Sequence, residues 1–277
     1  MPFAICNEIY RDWPLEDALR HAARTGYDAV ELAPFTLAQD VNHLGPVDRA
    51  RIREAALHAG IAICGLHWVL VQTEGLHLTH PDAAVRERTG RYLMDLADCC
   101  ADLGGRAVVF GSPKQRSRLP GVDAAQAWDF ATATFRDAVK RAEDRGVTFC
   151  FEPLSPVETD FINTAAEAAR FAGQFASPAM QVILDVKAMC SEATPIPEII
   201  RAHWPHLAHF HANDRNLKGP GFGEVDFRPI ATALKEVRYA GYISVEVFNF
   251  DEGAEVIATK SLEYLKKVWA EAADPAS

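Results

Sequence analysis

Five times along the chain a helix-patterned stretch ends in glycine and gives way at once to a short β-rich run: RTGYDAVEL, HAGIAICGL, LGGRAVVFG, RGVTFCFEP and YAGYISVEV. The glycine reads as a helix C-cap, where the left-handed backbone region costs it nothing. Each run then leads through a loop into another amphipathic stretch. Strand, helix, strand, helix in that order calls for parallel strands joined by crossover helices. Eight strands are predicted, near 3–7, 28–33, 61–67, 106–111, 147–152, 181–186, 207–212 and 242–247. Helices are predicted over 82–103, 123–145, 163–175, 227–239 and 253–272, where apolar residues recur at three- and four-residue spacing. Asn163 to Glu167 and Pro14 to Asp17 have the composition of helix starts. Residues 212–226 form the longest Gly/Pro-rich loop, and the closing AADPAS reads as frayed.

Eight such units make an α/β protein of the (β/α)₈ TIM-barrel type, a fold that closes in about 250 residues. With 277 residues, 49% of them hydrophobic, residues 1–277 are expected to form a single domain. The rival is an open doubly wound sheet. That fold would bring a phosphate-binding glycine fingerprint after the first strand, and CNEIYRDWP has none.

In a barrel the chemistry collects at the C-terminal ends of the strands. Four consecutive predicted strands end there in an acid or an imidazole: Glu152 in VTFCFEPL, Asp185 in QVILDVKAM, His211 in LAHFHAND and Glu246 in ISVEVFNF. Three carboxylates meeting at one mouth would repel, since two like charges about 4 Å apart cost roughly 4 kcal/mol at an effective dielectric of about 20. A cation between them removes that cost. Oxygen donors with one imidazole suit a single divalent ion, Mn²⁺ first, with Mg²⁺, Co²⁺ or Zn²⁺ as alternatives. The competing reading, four merely solvated strand ends, leaves the burial of charge uncompensated.

Charge narrows the partners. A formal net charge of -10 disfavours a nucleic-acid groove or an anionic membrane surface, both of which need clustered Lys and Arg. A small neutral substrate fits better. The six cysteines show no CxxC pair or extracellular disulfide spacing, so reduced, mostly buried thiols are expected. MPFAICNEIY lacks a basic region followed by an apolar stretch, and no run of 18 apolar residues occurs; the cytoplasm is the expected address.

The segments FEPL, LDVKAM, HFHANDRN and SVEVF, in this order and spacing, resemble the xylose isomerase-like TIM-barrel superfamily of sugar isomerases and epimerases. GYDAVEL, the HW after strand three and GFGEVDFRPI extend the likeness over nearly the whole chain. That group includes ketose 3-epimerases, hydroxypyruvate isomerase, inosose isomerases and dehydratases and, more distantly, endonuclease IV. The resemblance implies metal ligation by Glu152, Asp185, His211 and Glu246, with Glu152 and Glu246 also serving as acid and base. It implies a carbohydrate substrate and a homo-oligomer, dimer or tetramer.

Two positions depart from the ketose 3-epimerase pattern. That pattern implies a substrate-binding His where this chain has Ala188 and an Arg where it has Leu217. Lys187 and Arg215 lie beside them, and Lys187 shares strand parity with Asp185, which would turn it toward the site. The departures keep a second reaction open. If the substrate carries a leaving group β to its carbonyl, the same enolate expels it, as a lyase or dehydratase would. An endonuclease IV-like nuclease is a third reading, set against the acidic balance and the want of a His-rich cluster.

Other candidates surround the four. His67 and Glu31, ending strands three and two, read equally as substrate contacts or as satisfied core groups. His209, one pleat below His211, reads as a supporting residue. In GSPKQRSR, Lys114, Gln115 and Arg116 could hold hydroxyls, a carboxylate or a phosphate, or form a solvated loop. Trp68 and Phe248 read as a sugar-stacking wall or as ordinary packing. Gly219, Gly221 and Gly223 read as shaping the long loop rather than as a phosphate cradle. The candidate substrate contacts are His67, Lys114, Lys187, Arg215, Trp68 and Glu158.

Overall fold

The computed structural model describes residues 1–273. Eight parallel strands close on themselves in sequence order: β1 (Phe3–Cys6), β2 (Ala29–Leu32), β3 (Ala62–Leu66), β4 (Ala107–Phe110), β5 (Thr148–Phe151), β6 (Met180–Asp185), β7 (Leu207–Ala212) and β8 (Ile243–Val245). The helices between and after them are α1 (Leu15–Thr25), α2 (Pro46–Ala59), α3 (Ala83–Leu103), α4 (Ala124–Arg145), α5 (Ala165–Gly173), α6 (Val186–Met189), α7 (Ile196–His203), α8 (Phe227–Glu236) and α9 (Ala254–Glu271). This is a (β/α)₈ barrel, and each predicted strand is present.

Glycine does end four of the helices as expected. Gly26, Gly60, Gly104 and Gly146 all have positive φ and close α1, α2, α3 and α4. YAGYISVEV is the exception. There α8 has already ended at Glu236, the left-handed residue is Arg238 at φ 54°, and Gly241 instead leaves room for the Tyr239 ring. The helix start at Asn163 to Glu167 is a capping box, with Thr164 accepting from the Glu167 N–H and the Glu167 carboxylate accepting from the Asn163 and Thr164 N–H groups. Ala272 still donates to the Val268 carbonyl at the end of α9, while the fraying expected of AADPAS falls from Asp274 onward outside the described residues.

Two layers of apolar packing result. Between strands and helices sits an aromatic cluster, with Phe110, Phe135, Phe149, Phe151 and Phe171 fully buried and ring centroids as close as 4.8 Å. Burying one such side chain contributes about 1.5–3 kcal/mol. Inside the barrel most of the buried apolar residues are small, Ala4, Ala29 and Cys64 on one side and Ala107, Val109, Cys150 and the larger Ile183 on another. Small floor residues leave space above for polar groups. The registers Cys6↔Glu31, Asp185↔His211 and His211↔Ser244 then set those groups in one layer at the C-terminal end. Among the described residues no helix is long and apolar enough to cross a membrane. All six cysteines are free, and five of them are buried.

Candidate metal centre

Glu152 follows the last residue of β5, Asp185 ends β6, His211 lies in β7 and Glu246 follows β8. The barrel brings these four together. Each offers a ligand atom such that all four atoms lie within 4.8 Å of one another, and all four residues are buried. His211 Nδ1 is 3.1 Å from Glu246 Oε2. Gly111, just past β4, makes room for this cluster: a Cβ there would come within 2.2 Å of Glu152 Oε2.

The electrostatics show what such a cluster lacks. Burial, with the neighbouring charges of Glu246 and Asp185, pushes the Glu152 carboxyl well above its ordinary value. Asp185 is lifted to about 6 by burial and then by Glu246. For Glu246 burial also favours the neutral form, but the His211 charge and hydrogen bond outweigh it and hold this group low. Crowding three carboxylates into this site therefore works against ionisation of Glu152 and Asp185 in particular. An added divalent charge between them would reverse that logic, and hard oxygen donors with one imidazole are the donor set that such an ion takes.

A second row of polar groups holds the first. Glu31, inside β2 and fully buried, lies 2.8 Å from His209 Nε2 and 3.2 Å from His211 Nε2. Burial alone would raise it, yet His209 and His211 hold it well below the usual carboxylate range. His211 is thereby gripped at Nε2, which turns Nδ1 toward the quartet. Asn213, absent from the sequence-based candidates, donates to Asp185 Oδ2 at 2.5 Å and to Glu246 Oε2 at 3.4 Å, while its own carbonyl accepts from the Lys187 N–H at 2.7 Å. Cys6 Sγ stands 3.7 Å from Glu31 Oε2 and 3.5 Å from Ser244 Oγ.

Of the six candidate substrate contacts, four line this mouth. Trp68, at φ 51°, donates its indole N–H to Glu246 Oε1 at 2.7 Å. Its ring stacks between Phe35 and Phe248, with centroids 5.8 and 5.7 Å away. Lys187 pairs with Glu158 at 2.7 Å, its ammonium lying 4.1 Å above the Phe248 ring. Strand parity, however, does not place Lys187 as expected, because β6 ends at Asp185 and the backbone turns there into α6. His67 is fully buried and bonded to Glu8, another residue that sequence reasoning missed.

The remaining two stand apart. Lys114 is exposed in the loop after β4, with no hydrogen bond or ion pair to the quartet among the described residues. Arg215 is exposed and reaches the Cys190 carbonyl at 3.2 Å. Arg116, read as a possible anion contact, is instead fully buried and donates to the backbone carbonyls of Glu152 at 2.5 Å and Ile162 at 3.1 Å. It steadies the chain beside Glu152. The glycine loop is built by close approaches: Gly223 leaves room for the Asp214 carboxylate and Gly221 for the Tyr264 ring.

With this geometry in view, the likeness to known proteins becomes specific. The sequence pattern of the family described as xylose isomerase-like TIM barrel matches residues 19–268. The chain belongs to that family. D-psicose 3-epimerase of Agrobacterium fabrum is 28% identical over 237 residues, covering 83% of this chain and 78% of that one. The 3-dehydro-D-guloside 4-epimerase of Escherichia coli is 23% identical, over 87% of this chain and 89% of its own. A crystal structure of a D-psicose 3-epimerase in the presence of D-fructose shares the fold with a TM-score of 0.84 at 23% identity, over 97% of this chain and 99% of that one. With relatives along most of its length named as epimerases, the protein is an enzyme.

Proposed function

We propose that the enzyme is a divalent-metal-dependent epimerase or isomerase of a ketose or a related polyhydroxylated ketone. One observation carries this reading: three buried carboxylates and one imidazole present ligand atoms within 4.8 Å of one another at the mouth of the barrel. Relatives named for acting on D-psicose, L-ribulose and 3-dehydro-D-guloside support it.

Glu152, Asp185, His211 and Glu246 would hold the ion. When bound, it supplies Lewis-acid polarisation of a carbonyl and its neighbouring hydroxyl, acidifying the C–H between them and favouring an enediolate. The chain's own groups do the rest. Glu152 and Glu246 follow β5 and β8, the first and last of the four strands that carry the quartet, and so would flank a substrate seated on the centre. One takes the carbon-bound proton and the other returns one. The Trp68 indole fixes Glu246 Oε1, and Arg116 fixes the backbone at Glu152. Trp68, stacked on Phe35 and Phe248, presents a wall of rings beside the centre. Lys187, its side chain 11% exposed, offers a cation for substrate oxygens.

A second reading is β-elimination from a keto-sugar, keto-glycoside or inosose. It is favoured by Ala188 being buried and apolar, and Leu217 being 45% exposed, at the two positions where ketohexose-binding groups are expected. One assay decides both. D-psicose, D-fructose, D-tagatose, L-ribulose and a set of inososes are incubated with Mn²⁺ in D₂O, before and after chelation. Epimerisation with deuterium uptake that stops on chelation is expected. A product absorbing in the near ultraviolet would favour the lyase, and no turnover or exchange on any member would remove both.

A further inference from the structure

The quartet occupies the half of the mouth built by β5 to β8, and the half built by β1 to β3 carries a buried acid–imidazole pair that the reaction as derived leaves unused. Glu8, in the single turn after β1, is 2% exposed, and His67, directly after β3, is fully buried. His67 Nε2 and Glu8 Oε2 are hydrogen-bonded at 2.6 Å. The second atom of each group, Glu8 Oε1 and His67 Nδ1, has no hydrogen-bond partner among the described residues. Nδ1 is 4.0 Å from Glu31 Oε1, beyond direct bonding.

An open carboxylate acceptor in so dry a place is costly unless something donates to it. The imidazole of the pair also neighbours the centre. The His67 ring centroid is 5.9 Å from that of Trp68, which bonds Glu246, and 6.2 Å from that of His211. Glu8 follows β1 and His67 follows β3, so a ketose seated on the quartet and extending toward that side of the mouth would approach this acceptor.

We propose that Glu8 and His67 form a hydroxyl-binding subsite, in which Glu8 Oε1 accepts from a substrate hydroxyl remote from the reacting carbons while His67 holds the other carboxylate oxygen. The inference rests on the ketose reading and deepens it: the substrate is a polyol with a free hydroxyl on its distal carbons, not one ending in an apolar group. Glu8 binds substrate, and His67 positions Glu8.

The test pairs deletions on both partners. Binding of D-fructose and of its 4-, 5- and 6-deoxy analogues is measured by calorimetry on the Mn²⁺-loaded wild type, Glu8→Leu and Glu8→Gln. In the wild type, one of the three deletions should weaken binding about 10- to 100-fold, the worth of a hydrogen bond to a charged group. That penalty should vanish in Glu8→Leu and shrink in Glu8→Gln, whose neutral amide accepts more weakly. Deoxy penalties identical in all three proteins would overturn the subsite. Should Glu8→Leu not fold, an unchanged penalty in Glu8→Gln would do the same. If neither D-fructose, D-psicose nor L-ribulose binds the wild type, the ketose reading itself fails, and the subsite with it.

Discussion

Glu31 bonds two imidazoles, meets the Cys6 thiol and touches no solvent, so its worth lies in where it holds His211. Glu31→Gln keeps the shape and removes the charge; we expect Mn²⁺ to bind about 10- to 100-fold more weakly, the usual cost of losing such an outer partner. Calorimetric titration of the apoprotein checks it, and unchanged affinity would reduce Glu31 to filling. Glu246→Gln separates proton transfer from ion binding, because an amide oxygen can still face a cation but cannot accept a proton. Turnover should fall by about 10²- to 10⁴-fold with the metal content less affected, read from kcat beside elemental analysis. The quartet was legible in the sequence because each member lies at or beside the C-terminal end of a strand, and those ends converge in any barrel. Glu8 and Asn213 were not legible, since Glu8 lies in a turn past β1 and Asn213 acts across to Asp185 and Glu246 from beyond the end of β7. Arg116 misled for a related reason: a basic loop residue looks solvated until the chain folds back over it, and here its guanidinium has two backbone carbonyls to serve.

Between β3 and β4 a glycine makes room for the neighbouring strand's backbone. A Cβ on Gly65 would lie 2.3 Å from the Ala107 carbonyl oxygen, which belongs to the backbone and cannot swing aside. Gly65→Ala should therefore destabilise by about 1–3 kcal/mol, the typical cost of overpacking, seen as a lowered midpoint in urea unfolding. Gly111→Ala differs, since its Cβ meets the Glu152 carboxylate at 2.2 Å. Loss of metal binding out of proportion to loss of stability is expected there. The strands were readable in order because most β-rich runs follow a helix ending, a signal local to a few residues. What local pattern could not supply was where a strand stops: extending β6 past Asp185 produced the mistaken parity for Lys187, and treating Gly241 like the other four caps missed the early end of α8.

Taken as one molecule, the protein gathers five buried carboxylates, those of Glu8, Glu31, Glu152, Asp185 and Glu246, into one end of the barrel. Below about pH 6 protons compete with a cation for the quartet. Asp185 is raised to about 6, Glu152 is raised well above its ordinary value, and His211 is raised because Glu246 and Glu31 outweigh the effect of burial. An ion entering must expel those protons, so Mn²⁺ affinity should climb with pH through the region around 6, by up to about tenfold per unit for each proton released. Affinity flat from pH 5 to 8 would mean that the ion, if any, binds elsewhere. Saturation should also raise thermal stability, by about 2.7 kcal/mol at a hundredfold excess over Kd. The most direct measurement is an anomalous difference map from a crystal soaked in Mn²⁺. One peak within about 2.0–2.4 Å of oxygens of Glu152, Asp185 and Glu246 and of His211 Nδ1 is the predicted result; density for the four side chains with no peak among them, or with the ion held by other residues, would contradict it.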